Sequence, residues 1–177
     1  VEAYIGRSTT KETRQDAVNA VRLIFANIRE AYQDGSNMRA RKQMLRAAYL
    51  AGNAFTRSYV GYVHAVAHSL GGKYNTPHGL ANAVLLPFVL EAYGQTAHRP
   101  LHALAVAVGI SDWRESDEEG AVKFIEAIRQ MKKDLSIGDT ICGIQKKDIP
   151  GLARQAEKEA NPLYPVPDLM TAKQLEE

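Results

Sequence analysis

The sequence predicts an all-α fold. Apolar residues recur every three or four positions through most of the chain, helix-capping residues stand at intervals along it, and no segment alternates apolar and polar residues as a half-buried strand does. With 177 residues, the chain is also long enough to bury a sizeable core. We therefore expect residues 1–177 to form a single helical domain.

Two helices are predicted in the first third of the chain. A stripe of apolar residues spaced by three and four predicts an amphipathic helix over residues 16–32, and Gly35 marks its end. The stripe consists of Ala17, Val18, Val21, Ile24, Phe25 and Ile28. A segment rich in Ala and Leu predicts a second helix over residues 37–57, where small side chains such as Ala47 and Ala51 permit close packing.

The middle of the chain predicts two helices separated by a break. Residues 58–70 and residues 79–93 both carry a helical pattern. A Gly-Gly pair at 71–72 lies between them, and glycine is the strongest local helix breaker after proline. We therefore expect the first of these helices to end before the glycine pair.

Two further helices are predicted between residues 100 and 133. Pro100 suits the first turn of a short helix that ends near Gly109, because proline has no N–H group to leave unpaired there. Ser116 and Glu119 have the spacing of a capping box, in which each side chain accepts from the backbone N–H of the other residue. This box predicts a helix that extends to about Lys133.

The last two helices are also predicted from their first residues. Asp148 followed by Pro150 is typical of a helix start, and this helix is expected to stop before Pro162. Thr171 and Gln174 have capping-box spacing and begin a final helix.

Composition excludes several classes of protein. Lys and Arg total 22 and Asp and Glu total 20, a net charge of +2, with no basic run dense enough to follow a nucleic acid backbone. No apolar run approaches the roughly 18 residues that a membrane crossing needs. The single cysteine, Cys142, rules out an intrachain disulfide framework and agrees with a reducing cytoplasm. We expect a cytoplasmic protein without nucleic acid or membrane partners, in which Cys142 is buried or half-buried.

Three of the five histidines lie close together in the sequence. His64 and His68 are four residues apart and share one face of a helix, and His78 follows behind a turn. Neutral imidazole is the commonest protein metal ligand, so the group indicates a metal or catalytic site. Spacing alone leaves two ligand pairs open, His64 with His78 or His64 with His68. His98 and His102, also four apart, are expected to be polar surface residues.

A second interpretation is a non-catalytic helical binding module. In that case the histidines would be core residues whose ring nitrogens are paired with backbone or hydroxyl groups. Ligand histidines would instead converge on an open cleft. Burial and hydrogen bonding therefore distinguish the two interpretations.

The segment from Gly61 to Pro87, GYVHAVAHSLGGKYNTPHGLANAVLLP, resembles the signature of the iron-containing, or group III, alcohol dehydrogenases. It runs through G-x-x-H-x-x-A-H-x-x-G and P-H-G-x-x-N-A-x-x-L-P. The flanking helices resemble the C-terminal domain of the same family over nearly the whole chain. The resemblance implies the multi-helix C-terminal domain of the dehydroquinate synthase-like fold that this family shares.

The resemblance also implies a chemistry and a role for each histidine. It implies an oxidoreductase that moves hydride between an alcohol and an aldehyde or ketone, with NAD or NADP as the cofactor and a divalent metal polarising the substrate oxygen. The metal would be Fe²⁺, or Zn²⁺ as in the glycerol dehydrogenase relatives. Its ligands in this segment would be His64 and His78. His68 would lie near the nicotinamide and the substrate, as a catalytic and cofactor-binding residue.

The sequence departs from the family pattern at its start. The family's other two ligands, an aspartate and a histidine, come from a D-x-x-x-H-x-x-E helix, and residues 1–4 resemble the tail of that helix. By the same resemblance, we expect the family's N-terminal dinucleotide-binding domain to be absent from this chain. The chain is therefore expected to be inactive by itself and, because apolar surface would be uncovered, to form a homo-oligomer.

Overall fold

The computed structural model describes residues 1–176, and within that range the chain contains nine α-helices, one short 3₁₀ helix and no strand. The prediction of an all-α fold is confirmed. The α-helices are α1 Glu2–Ile5, α2 Lys11–Gln33, α3 Met38–Ser58, α4 Tyr62–Tyr74, α5 His78–Ala92, α6 Gln95–Ala107, α7 Asp117–Asp134, α8 Ile149–Ala160 and α9 Ala172–Leu175.

The helices α2 and α3 pack along each other as a helical hairpin. The first begins five residues before the predicted start, because Thr10 and Thr13 form a capping box that the apolar pattern did not reveal. The second begins after Asn37, whose side chain accepts from the N–H of Ala40. Small buried side chains such as Ala47 let the two helices approach closely, as predicted.

The helix α4 lies at the centre of the fold and packs against α5 and α8. The prediction that the Gly-Gly pair at 71–72 interrupts it was wrong: the helix continues to Tyr74 and ends at Asn75, which has a left-handed backbone (φ 51°) and donates its N–H to the carbonyl of Gly71. A glycine inside a helix costs only about 1 kcal/mol, which tertiary packing outweighs here.

The helix α6 differs from its prediction in two ways. It begins at Gln95, five residues before Pro100, so that the proline lies inside the helix rather than in its first turn. His102 is not a surface residue, because its side chain is only 4% exposed. Its Nδ1–H donates to Asp117 (3.0 Å) and its Nε2–H to the carbonyl oxygen of Asp112 (3.0 Å). Because both nitrogens face acceptors, the protonated ring is favoured and the pKa of His102 is raised, chiefly by Asp117.

The capping predictions for the last three helices are confirmed. Ser116 and Glu119 form the reciprocal capping box of α7, and Thr171 and Gln174 form that of α9. Pro150 occupies the first turn of α8. Each of these signals lies within four residues of the helix start, so it does not depend on the rest of the fold.

Two other findings concern single features. Cys142 is exposed, which corrects the prediction of a buried or half-buried thiol; it lies in the loop between α7 and α8, outside any helix. Within residues 1–176, no helix combines the length and the apolar character that a membrane crossing requires.

The contact between α6 and α7 gives a first prediction. A Cβ placed on Gly120 would lie 2.1 Å from Cδ2 of His102, which is closer than packed atoms allow. We expect Gly120→Ala to lower the free energy of unfolding by about 1–3 kcal/mol, as overpacking of a core does. Urea unfolding followed by circular dichroism measures this. The matched control is Gly151→Ala in α8, where a Cβ meets nothing within 4 Å and helix propensity should stabilise the protein by up to about 1 kcal/mol.

A second prediction concerns pH. Since the folded pKa of His102 is raised above its ordinary value, its stabilising effect is complete below about pH 6.5 and is lost as the pH rises through the folded pKa. Urea unfolding should therefore give a larger stability difference between the wild type and His102→Gln at about pH 6 than at about pH 9. Asp117→Asn should flatten this pH dependence, and an equal difference at both pH values would contradict the assignment.

Candidate functional site

The fold brings the three histidines of the signature segment together. The ring centroids of His64 and His68 are 6.0 Å apart, those of His64 and His78 are 5.4 Å apart, and those of His68 and His78 are 5.3 Å apart. Two come from successive turns of α4, and the third is the first residue of α5. The sequence prediction that these residues form one group is therefore met in the structure.

Local backbone geometry explains how His78 reaches the other two rings. The left-handed residue Asn75 ends α4, and the chain reverses through Thr76 and Pro77. Pro77 is the N-cap of α5, with the extended backbone that proline supports. Because this turn is so short, the first turn of α5 lies beside the polar face of α4.

The planes of the rings limit which pairs can share a metal ion. The lone pair of an imidazole nitrogen lies in the ring plane, so a shared ion must lie where two planes meet. The planes of His64 and His78 are inclined at 57°, whereas those of His68 and His78 are stacked at 18° and nearly parallel. With metal–nitrogen bonds of about 2.0–2.1 Å, two rings on one tetrahedral ion have centroids about 5 Å apart, close to the spacing of His64 and His78. The pair His64 and His68, inclined at 76°, stays open on this criterion.

His64 is held by a carboxylate from the start of the sequence. Its Nδ1 lies 2.5 Å from Oε2 of Glu2, whose side chain is only 6% exposed. The other carboxylate oxygen, Oε1, accepts from the backbone N–H of Val63 (2.9 Å). Both oxygens of this carboxylate are therefore directed at the start of α4.

His68 is held in a similar way by α8. Its Nδ1–H donates to Oε1 of Glu159 (2.7 Å), which also accepts from the hydroxyl of Tyr164 (2.8 Å). Burial and the bond to Glu159 raise the pKa of Tyr164 to about 12, so that this hydroxyl keeps its proton and remains a donor. The imidazole is thus anchored at Nδ1, while its side chain is 43% exposed.

His78 is bonded by an amide, whereas the other two rings are bonded by carboxylates. The side-chain amide of Asn82 donates to its Nε2 (2.9 Å) and to its carbonyl oxygen (3.0 Å). Partial desolvation, and then the charges that His64 and His68 would carry, lower the pKa of His78. A lowered pKa favours the neutral ring, which is the form that binds metals. Among the residues that the structure describes, the buried Oδ1 of Asn82 has no hydrogen-bond partner.

His102 shows what a core histidine looks like in the same protein. Its ring is buried and both of its nitrogens are paired, as the binding-module interpretation would require of all the histidines. The other three behave differently: His64, His68 and His78 converge on one exposed side of the fold, and among the described residues each has a hydrogen bond at only one ring nitrogen. The geometry therefore favours a ligand or catalytic group.

The described part of the chain does not by itself supply a full metal shell. Across residues 1–176, no group of three or more His, Cys, Asp or Glu side chains is arranged to hold a metal ion. The donors still fit a divalent metal, because His64 and His78 are imidazoles at a suitable spacing, and Fe²⁺ and Zn²⁺ both accept imidazole.

The sequence analysis missed the carboxylates that hold two of the rings. Glu2 is the final residue of the D-x-x-x-H-x-x-E pattern that the start of the chain resembles, so a signal for it was present. Glu159 carried no signal, because its bond to His68 joins residues 91 positions apart.

Comparison with known proteins shows which family the chain resembles. The model of the Fe-containing alcohol dehydrogenase family, C-terminal region, matches residues 1–177. The chain is 42% identical over 164 residues to 1,3-propanediol dehydrogenase of Klebsiella pneumoniae, covering 91% of this chain and 42% of that protein. It is 37% identical over 164 residues to alcohol dehydrogenase 4 of Saccharomyces cerevisiae, covering 90% of this chain and 41% of the yeast protein.

Solved structures agree with the sequence comparisons. A crystal structure of 1,3-propanediol oxidoreductase matches with a TM-score of 0.94 and 37% identity, over 99% of this chain and 46% of that one. An alcohol dehydrogenase from Oenococcus oeni matches with a TM-score of 0.93 and 33% identity, also over 99% of this chain and 46% of that one. The chain thus spans less than half the length of the relatives that it matches.

Proposed function

Because this chain belongs to the Fe-containing alcohol dehydrogenase family, matching its C-terminal region, we propose that it is the helical, metal-binding half of an NAD- or NADP-dependent alcohol dehydrogenase. The observation that carries the proposal is the convergence of three imidazoles, 5.3 to 6.0 Å apart, on one exposed side of the fold. The reaction is the interconversion of an alcohol with an aldehyde or ketone by hydride transfer. The match to 1,3-propanediol dehydrogenase and to alcohol dehydrogenase 4 supports an alcohol or a diol as the substrate.

Two of the imidazoles hold the metal in this proposal. His64 and His78 are the ligands, Fe²⁺ is the metal that the family name supports, and Zn²⁺ is the alternative that imidazole donors also accept. A divalent cation bound there polarises the substrate oxygen as a Lewis acid. The remaining ligands, like the dinucleotide site, come from a preceding part of the protein.

His68 exchanges the proton in this proposal. Because Nδ1 is bonded to Glu159, the free nitrogen is Nε2, on a ring that is partly exposed beside His78. Alcohol oxidation releases a hydride and a proton; in this proposal Nε2 accepts that proton and returns it in the reverse direction. Its position beside the metal ligands also supports contact with the nicotinamide.

The expected partners follow from the same proposal. We expect small alcohols and aldehydes, and neither nucleic acid nor membranes, in a cytoplasmic protein. Homo-oligomer formation also stays a prediction, for which α3 offers exposed apolar surface: Met38 (71% exposed), Leu45 (74%) and Tyr49 (68%) recur at helical spacing.

The roles of the three histidines can be separated by substitution in the whole dehydrogenase. His64→Ala and His78→Ala should each reduce bound metal and remove turnover, because each deletes a ligand. His68→Ala should keep its metal while kcat falls roughly 100- to 10,000-fold, since it removes only proton transfer. Elemental analysis of each purified variant beside its kcat measures this. His98→Ala, on α6, is the control, and a metal loss in His68→Ala would overturn the assignment.

The 177-residue chain by itself should not catalyse the reaction. It lacks half of the proposed metal shell and the proposed dinucleotide site. We expect no NAD- or NADP-dependent oxidation of 1,3-propanediol by the purified chain supplied with Fe²⁺ or Zn²⁺. The whole dehydrogenase under the same conditions is the positive control, and turnover by the chain alone would contradict the proposal.

A further inference from the structure

The environment of Glu2 is unusual for a carboxylate. Its side chain is only 6% exposed, and among residues 1–176 it has no Lys or Arg partner. A buried carboxylate without a cation is costly unless its oxygens are well bonded. Both oxygens are bonded here: Oε1 accepts from the N–H of Val63 and Oε2 lies against Nδ1 of His64. Neither partner is a fixed charge, so the arrangement is not an ordinary ion pair.

We propose that Glu2 is a positioning residue for the metal ligand His64: its carboxylate accepts the Nδ1–H of the imidazole and thereby leaves the lone pair of Nε2 directed at the cation. The inference rests on the proposed function, in which His64 is a ligand. A carboxylate behind a ligating histidine fixes the tautomer and the orientation of the ring, and makes the coordinating nitrogen more basic. No motif at His64 itself requires such a partner.

The start of α4 is built to admit this carboxylate. Gly61 is the N-cap of the helix and has no side chain to accept from the first free N–H groups. Glu2 takes over that task at Val63, so one of its oxygens caps the helix while the other holds the imidazole of the next residue. The carboxylate also lies at the positive end of the helix dipole, which lowers the cost of burying it.

Gly61 also provides the space that the carboxylate occupies. A Cβ at this position would lie 2.6 Å from Oε1 of Glu2 and 3.2 Å from the hydroxyl of Tyr93. That hydroxyl is buried and has no hydrogen-bond partner among residues 1–176, and burial followed by the charge of Glu2 raises the pKa of Tyr93. Any side chain at Gly61 would therefore displace Glu2 without changing its charge.

A purely structural role makes a different prediction. If Glu2 only capped α4, its loss would lower stability and leave the ring protonation of His64 and the metal affinity unchanged. The two readouts below respond to the position of the imidazole rather than to the stability of the helix.

The first test is made on the unaltered, metal-free chain. Nitrogen-15 NMR of the imidazole groups at about pH 8, with His64→Gln identifying the resonance, reports which ring nitrogen carries the proton. We expect the proton on Nδ1 and a bare Nε2. A proton on Nε2 would overturn the inference. This measurement requires no substitution at Glu2, so it decides the question even if the variants at that position fail to fold.

The second test measures metal affinity in the whole dehydrogenase. The metal-free protein is titrated with Zn²⁺ against a competing chelator. We expect Glu2→Gln to weaken Zn²⁺ binding roughly 10- to 100-fold, the usual effect of removing such a partner. Gly61→Ala should weaken it as well, because it displaces the carboxylate while the charge remains.

The control is Glu159→Gln, which removes a negative charge near the same histidines but contacts the non-ligand His68. We expect its Zn²⁺ affinity to match the wild type, which separates positioning from general attraction of the cation. His64→Ala separates the two proposals. If His64→Ala abolishes binding and Glu2→Gln does not weaken it, only the role of Glu2 is wrong; if neither weakens binding, the metal site itself is wrong.

Discussion

The burial of one face of α4 is the constraint on which the rest of the structure depends. Its apolar residues, among them Tyr62 and Val63, lie in the core against α5 and α8. Tyr62 also connects α4 to the segment that follows α8, because its hydroxyl donates to the side chain of Asn161 and accepts from the N–H of Met170. Since the helix cannot rotate without exposing these groups, its opposite face, which carries His64 and His68, is fixed toward the exterior.

The four best-defined histidine environments show how the surroundings decide the role of one residue type. The ring of His102 lies between two acceptors, Asp117 and the carbonyl oxygen of Asp112, and its pKa is raised chiefly by the hydrogen bond to Asp117. Partial desolvation, and then the two neighbouring imidazoles, lower the pKa of His78 and disfavour its charged form. His64 and His68 are each hydrogen-bonded to one carboxylate through Nδ1. Within the described part of the chain, the other ring nitrogen of each has no hydrogen bond. A residue count or a spacing does not contain this distinction, because it depends on which acceptors the fold brings within reach.

Most of the helices could be predicted from the sequence, because their signals are local. Ser116 with Glu119 fixes the start of α7 through bonds that span three residues. The errors came where packing overrides a local preference: α4 continues through the Gly-Gly pair at 71–72, and α6 contains Pro100. The convergence of the histidines followed from the motif, but the carboxylate behind His64 did not follow from spacing, since it comes from a helix that lies 62 positions away in the sequence.

The exposed indole of Trp113 gives the protein an intrinsic fluorophore that reports on one region of the fold. It is the single tryptophan of the chain, it is 73% exposed, and its ring centroid lies 6.0 Å from that of His102. Because the chain has one tryptophan, its tryptophan fluorescence reports on the loop between α6 and α7, where this indole lies. A change in tryptophan emission would report a change in that loop. Metal or ligand binding at the three clustered imidazoles would need a separate label.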